Sequence, residues 1–282
     1  MQRVGIFDSG VGGLSVWREV RRALPSLDTV YVADQAHIPY GPLPPTTVLE
    51  FSRRIVQFLE RQGCEIIIVA CNTASAAALQ VLRAEHPHLE FIGMEPAIKP
   101  AAQCSQSGVV VVLATANTLE GKLFQETSRK YAAAVRVLPQ PCPGLVEQIE
   151  RGETDTQATR ELLRVFLEQP LLSGADTCVL GCTHYAFVRP ILAELLPPQA
   201  QIVDSAPAIA RRVQRLIQDS ALSSAAKPEA VIPETRKAPV HQIWTTGSVA
   251  AFASVTTKLL GETVDAHPLR WGPDGLDPQG SS

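Results

Sequence analysis

The run Glu65-Ile66-Ile67-Ile68-Val69-Ala70 ends in Cys71, Asn72 and Thr73 and passes at once into alanine-rich sequence. An unbroken β-branched run without alternation is the pattern of a strand buried on both faces, so a parallel sheet is expected around it. Cys71 then stands where strand hands over to helix, at the carboxyl edge of the sheet, where open α/β sheets bind ligands. The pattern returns in Thr177-Cys178-Val179-Leu180-Gly181-Cys182-Thr183-His184-Tyr185, again followed by helix-like sequence. Pro96-Ala97-Ile98 begins 25 residues after Cys71, and Pro207-Ala208-Ile209 begins 25 residues after Cys182. A repeat of roughly a hundred residues is too long for a solenoid unit and about the size of a small domain. The expected fold is therefore two pseudo-symmetric open-sheet α/β domains with a site in the cleft between them.

Residues 1–98 plus 210–265 read as the first domain and 99–209 as the second, with 266–282 a flexible tail of Gly, Pro and polar residues. Val4–Phe7 and Thr29–Ala33 read as strands, and Asp8-Ser9-Gly10-Val11-Gly12-Gly13 as the turn between the first strand and a helix. The prolines between Ile38 and Pro45 forbid regular structure and predict a stiff loop over the carboxyl edge. Single helices are expected over Leu119–Tyr131 and Ala208–Leu216, and a surface connection between Asp219 and His241.

At 282 residues and a net charge of −3, nothing in the composition points to a nucleic-acid or anionic-membrane partner. No apolar stretch approaches the roughly 18–20 residues of a membrane span, and the N-terminus lacks a signal-peptide layout. The six cysteines are spaced unlike a small secreted scaffold, so free thiols in a reducing compartment, the cytoplasm, are expected. Cys64, Cys104, Cys142 and Cys178 read as small buried hydrophobes.

Cys71 and Cys182 differ because each precedes a helix start, which can lower a thiol pKa from about 8.5 toward neutrality. The glycine-rich turn after Asp8 lacks the residues of a P-loop or dinucleotide fingerprint. It is either a tight turn capped by Asp8 or a wall of the same cavity, with Asp8 binding an ammonium group or assisting proton transfer. His184, two residues beyond Cys182, is either a satisfied histidine or a group that tunes the thiol. No C-x-x-C or H-x-x-x-H spacing supports a metal site. Asn72, Thr73, Thr118 and Thr183 fall at strand-to-helix junctions, where amides and hydroxyls can hold a carboxylate without Arg or Lys. Two opposed thiols can exchange disulfides, bind metal, or invert a carbon centre, one acting as base and the other as acid. No nicotinamide, flavin or pyridoxal-phosphate site is evident, so no cofactor is expected.

Four blocks carry a resemblance: Gly5-Ile6-Phe7-Asp8-Ser9-Gly10-Val11-Gly12-Gly13, Pro39-Tyr40-Gly41, Ala70-Cys71-Asn72-Thr73-Ala74-Ser75 and Leu180-Gly181-Cys182-Thr183-His184-Tyr185. Together they resemble the glutamate racemases of the cofactor-independent aspartate/glutamate racemase superfamily. The resemblance implies interconversion of L- and D-glutamate, D-glutamate for peptidoglycan, and a homodimer. It assigns proton abstraction from D-glutamate to Cys71 and from L-glutamate to Cys182. Asp8, His184 and Glu150 match assisting residues, Glu147 being the alternative to Glu150. Ser9, Tyr40, Gly41, Asn72, Thr73, Thr118 and Thr183 match substrate-contacting positions. The alternatives are a racemase for aspartate or another acidic amino acid and a non-catalytic thiol or metal-binding sensor.

Overall fold

The computed structural model describes residues 3–131, 133–225, 238–273 and 275–278. The chain begins with β1 (Arg3–Asp8), α1 (Leu14–Ala23), β2 (Asp28–Ala33), α2 (Pro45–Arg61), β3 (Ile66–Val69), α3 (Asn72–Glu85), β4 (Glu90–Gly93) and α4 (Ile98–Cys104). A second round follows as β5 (Val109–Ala114), α5 (Ala116–Glu120), α6 (Lys122–Tyr131), β6 (Arg136–Pro141), α7 (Leu145–Glu150), α8 (Gln157–Leu172), β7 (Thr177–Leu180), α9 (Arg189–Leu195) and β8 (Gln201–Asp204). The chain then adds α10 (Ala206–Ala225), β9 (His241–Thr245), α11 (Val249–Leu260), β10 (Ala266–Gly272) and β11 (Gly275–Pro278).

The strands form two sheets, ordered β4-β3-β1-β2-β9-β10-β11 and β8-β7-β5-β6. Every pairing is parallel except β10 with β11. The first four strands of each round share one order, so the echo in sequence is an echo in topology. In both rounds the chain leaves a central strand (β1 or β5) toward one neighbour and later returns on its other side. The carboxyl ends of β1 and β3, and of β5 and β7, therefore flank a crevice at a topological switch point. Asp8 ends β1, and Cys71 lies two residues past β3; Ala114 ends β5, and Cys182 lies two residues past β7.

Apolar runs supply the cohesion. Every residue of β3 and of β7 is buried. Alternate side chains feed opposite faces: Ile66 and Ile68 join one core with Val4 and Ile6, while Ile67 and Val69 join another with Phe7 and Val32. The first core continues without a break into Val111, Leu113, Cys178 and Leu180 of the second sheet. Each such isoleucine or leucine contributes about 1.5–3 kcal/mol on burial. A third cluster, with Val110, Val112 and Val179, covers the other face of the second sheet.

Four expectations are corrected. The tail is not frayed: β10 pairs with β9, β11 pairs with β10, and Leu269 and Leu276 are buried. Its apolar residues alternate with polar ones and pack against α2, an arrangement that its glycine and proline content hides. Positions 279–282 lie outside the described residues. Leu119–Tyr131 is two helices, because the backbone at Gly121 is extended and packs against Ala76. The helix expected over Ala208–Leu216 extends from Ala206 to Ala225, so the supposed surface connection starts as helix; 226–237 lie outside the described residues. Cys104, read as buried, is exposed at the end of α4. No described helix is long and apolar enough to cross a membrane.

Because Leu276 is fully buried, Leu276→Ala is expected to reduce the unfolding free energy by about 2–5 kcal/mol in chemical denaturation. A frayed tail would leave it unchanged.

Candidate active site

Both cysteines line one cavity. Its walls are Ser9, Pro39, Tyr40 and Gly41, then Cys71, Asn72 and Thr73 from the first sheet's edge. Thr115, Val146, Cys182, Thr183 and His184 complete it from the second. Among the described residues, neither lysine nor arginine lines it. Nine of the residues anticipated from sequence thus share one enclosure. Three others, Asp8, Glu150 and Thr118, stand behind its surface and act on the residues that line it.

Cys71 is the N-cap of α3, and its sulfur accepts from the Ala74 amide at 3.5 Å. Helix-terminus stabilisation of a thiolate is nevertheless outweighed. Burial, followed by the negative charge of Asp8, drives the Cys71 pKa up, against the pull of the amide. The sequence expectation of a thiol near neutrality at this position is corrected: burial shifts it toward the protonated form. Asp8 is itself completely buried. Its two oxygens accept from the Gly10 amide and the Thr183 hydroxyl, each at 3.0 Å. Burial raises its pKa, against the opposing influence of His184.

Cys182 has different neighbours. Its sulfur lies 3.7 Å from His184 Nδ1, and His184 Nε2 lies 2.6 Å from Glu150 Oε1. Burial alone would lower the His184 pKa, but its hydrogen bonds to the Cys182 sulfur and Glu150 raise it well above the ordinary value. The imidazolium is thereby held between sulfur and carboxylate. The choice between the two glutamates has a geometric answer: Glu150 meets His184, whereas Glu147 borders an adjoining apolar groove. Glu150 Oε1 also accepts from the Val11 amide at 2.7 Å, across from the first sheet.

This contact explains the glycine-rich turn. A methyl group on Gly10 would collide with the Glu150 carboxylate, and one on Gly12 with the His184 ring. The glycines admit two side chains of the opposite half. Tyr31 fixes the turn by donating to the Gly10 carbonyl at 2.7 Å.

The remaining wall is polar and only partly satisfied. Thr73, Thr115 and Thr118 form a hydroxyl cluster across the two halves, with Thr115 2.9 Å from each of the others. Tyr40 donates to buried Asp34 at 2.6 Å, fixing its ring in the wall. Both amide atoms of Asn72 are buried without a protein partner, an arrangement that a polar ligand in the cavity would satisfy. Thr115 was not anticipated. It directly follows β5 as Ser9 follows β1, so applying the repeat to the ends of the central strands would have located it. Asp34 likewise stands one residue past β2.

Among the described residues, three metal-type donors converge at Glu60, His86 and His88. His86 caps the end of α3 opposite to Cys71, about 20 Å away by helical rise. That group contains neither cavity cysteine.

The chain resembles known proteins along nearly its whole length. It is 44% identical over 264 residues to a glutamate racemase from Ectopseudomonas mendocina, covering 94% of this chain and 97% of that one. It is 45% identical over 247 residues to a glutamate racemase from Pseudomonas aeruginosa, covering 86% and 93%. The crystal structure of Escherichia coli glutamate racemase in complex with L-glutamate and an activator superposes with a TM-score of 0.78 at 31% identity, over 92% of this chain and 94% of that one. The Asp/Glu/hydantoin racemase family matches residues 11–213, a span holding both cysteine junctions, and the chain belongs to that family.

Proposed function

We propose that this protein is a glutamate racemase that inverts Cα by proton transfer between Cys71 and Cys182, without a cofactor. The observation that carries this reading is the placement of the two sulfurs, each just past a strand of its own sheet, in the walls of one cavity. In this reading one thiolate takes the Cα proton, and the bonding electron pair remains on the planar carbon, delocalised into the carboxylate. The opposite thiol then delivers its proton to the other face. Cys71 abstracts from D-glutamate and Cys182 from L-glutamate, and the roles exchange after each turnover.

The two sites differ in their assistance. Asp8 behind Cys71 provides a counter-charge for the substrate ammonium, whose positive charge then favours the Cys71 thiolate. His184, held protonated against Glu150, gives a thiolate at Cys182 a cationic partner. Asn72, Thr73, Thr183 and the Ser9 junction supply neutral donors and acceptors for the carboxylates. Thr118 acts through its hydroxyl contacts with Thr73 and Thr115. All six cysteines are free thiols, in keeping with a reducing cytoplasm, and D-glutamate for peptidoglycan is the use that the family resemblance implies. A homodimer is part of the same proposal.

Cys71→Ser and Cys182→Ser are each expected to lower racemisation, followed by circular dichroism, by at least about 10³-fold, because each removes one of two complementary proton carriers. In ²H₂O the wild-type enzyme should introduce deuterium at Cα as it racemises. Full retention of substrate hydrogen, or wild-type rates in either variant, would refute the two-thiol route. Glutamate should racemise well and aspartate poorly, and the reverse order would replace glutamate by the shorter acid.

Asp8 also links activity to stability. Its folded pKa is raised, so the native state retains a proton that the unfolded chain releases, and stability from this group falls as pH rises above about 4. At pH 7, Asp8→Asn is therefore expected to melt at a higher temperature than wild type while turning over more slowly. A variant of equal or lower melting temperature would contradict the burial cost assigned here.

A further inference from the structure

The hydrogen-bonded chain behind Cys182 does not end at Glu150. Glu150 Oε2 accepts from Gln35 Nε2 at 2.9 Å, and Gln35 Oε1 accepts from the Thr245 hydroxyl at 3.0 Å. Gln35 lies one residue past Asp34, in a short 3-10 turn after β2, whereas Glu150 ends α7 in the other half of the molecule. Thr245 ends β9, and its hydroxyl oxygen also accepts from the Gly247 amide at 3.1 Å. A side chain on Gly247 would strike Gln35 at its Cβ and crowd its amide oxygen, so glycine leaves the glutamine its slot. Both polar ends of Gln35 are therefore committed, and its amide orientation is set by a hydroxyl on one side and a carboxylate on the other.

We propose that Gln35 is a positioning residue for the Cys182 half-reaction, acting through Glu150 on His184. This rests on the reading of the site given above. Glu150 uses one oxygen on His184 and the Val11 amide, leaving the other for Gln35. Two of its three partners thus belong to the first sheet and its loops. The carboxylate is locked against the imidazole only while the two halves are apposed as they are here. Asp8, which assists Cys71, lies on β1 and is tied to the opposite half by the Thr183 hydroxyl, whereas the Gln35 amide is directed to Glu150. Loss of Gln35 would free one Glu150 oxygen to rotate away from His184 and would strand a carboxylate oxygen and a threonine hydroxyl. A hydrogen bond to a charged group in such a setting corresponds to about tenfold in rate.

The test uses the full chain with Gln35→Leu, which keeps bulk but neither polar end, and Gln35→Glu, which sets a second carboxylate against Glu150. The equilibrium constant between enantiomers is unity, so kcat/KM must fall equally in both directions and cannot by itself identify the affected thiol. The discriminating readout is the primary isotope effect with [2-²H]glutamate of each hand. For Gln35→Leu, kcat/KM is expected to fall about tenfold. The isotope effect should rise for L-glutamate, from which Cys182 abstracts, and fall for D-glutamate, whose isotope-sensitive step at Cys71 becomes less rate-limiting; Gln35→Glu should be slower still. An equal change for both hands in a variant with a wild-type melting curve would overturn the proposal, as would wild-type rates in Gln35→Leu. Absence of glutamate racemisation by the wild-type protein would instead overturn the functional reading itself. Should Gln35→Leu melt early, Thr245→Val, which removes the distant end of the train together with the acceptor of the Gly247 amide, provides a second variant. A smaller rise of the same handedness is then expected, and no change in either hand would overturn the proposal.

Discussion

Parallel pairing sends the carboxyl ends of neighbouring strands to a single edge, and the apolar core shared by the two sheets turns those edges toward one another. The burial of β3 and β7 on both faces leaves their polar continuations, Cys71-Asn72-Thr73 and Cys182-Thr183-His184, as the places where the chain can meet a ligand. The core that runs from Ile66 and Ile68 to Cys178 and Leu180 holds the two edges together. A change of register in either central strand pair would move a sulfur away from the cavity, because neighbouring positions in a strand point to opposite faces.

Within this nearly symmetric frame the two thiols have different electrostatic surroundings. Cys71 faces a buried carboxyl group and an amide, and burial keeps it protonated. Cys182 faces an imidazole that its neighbours hold in the charged form. Identical chemical groups thus stand in different electrostatic environments. The difference arises because Glu150, on the second half, reaches across to Val11 and Gln35 on the first.

The site also concentrates features that disfavour folding. Asp8 is buried among groups that do not fully repay its desolvation, and Asn72 presents two unpaired amide atoms. Gly10 and Gly12 give up side-chain packing to make room for Glu150 and His184. These losses lie together at the cavity, while the strands beneath it are uniformly apolar. That division fits a scaffold whose cohesion offsets strained polarity at one place.

Much of the architecture was legible in the residue order. Ile66–Val69 and Thr177–Leu180 announce doubly buried strands, and the 25-residue spacing from each cysteine to a Pro-Ala-Ile triplet announces a repeated unit. Those signals are local, since a strand's apolar run and a helix's cap are written within a few neighbouring positions. The strands of the tail escaped notice because Gly and Pro masked their alternation, and their burial depends on α2, over two hundred residues away. Sequence alone determined that two cysteines would end two buried strands. Only tertiary structure decided that Glu150 rather than Glu147 would meet His184, that Thr115 would join Thr73, and that Cys71 would be held protonated. Those outcomes depend on distance and desolvation between segments remote in the chain, which no local pattern encodes.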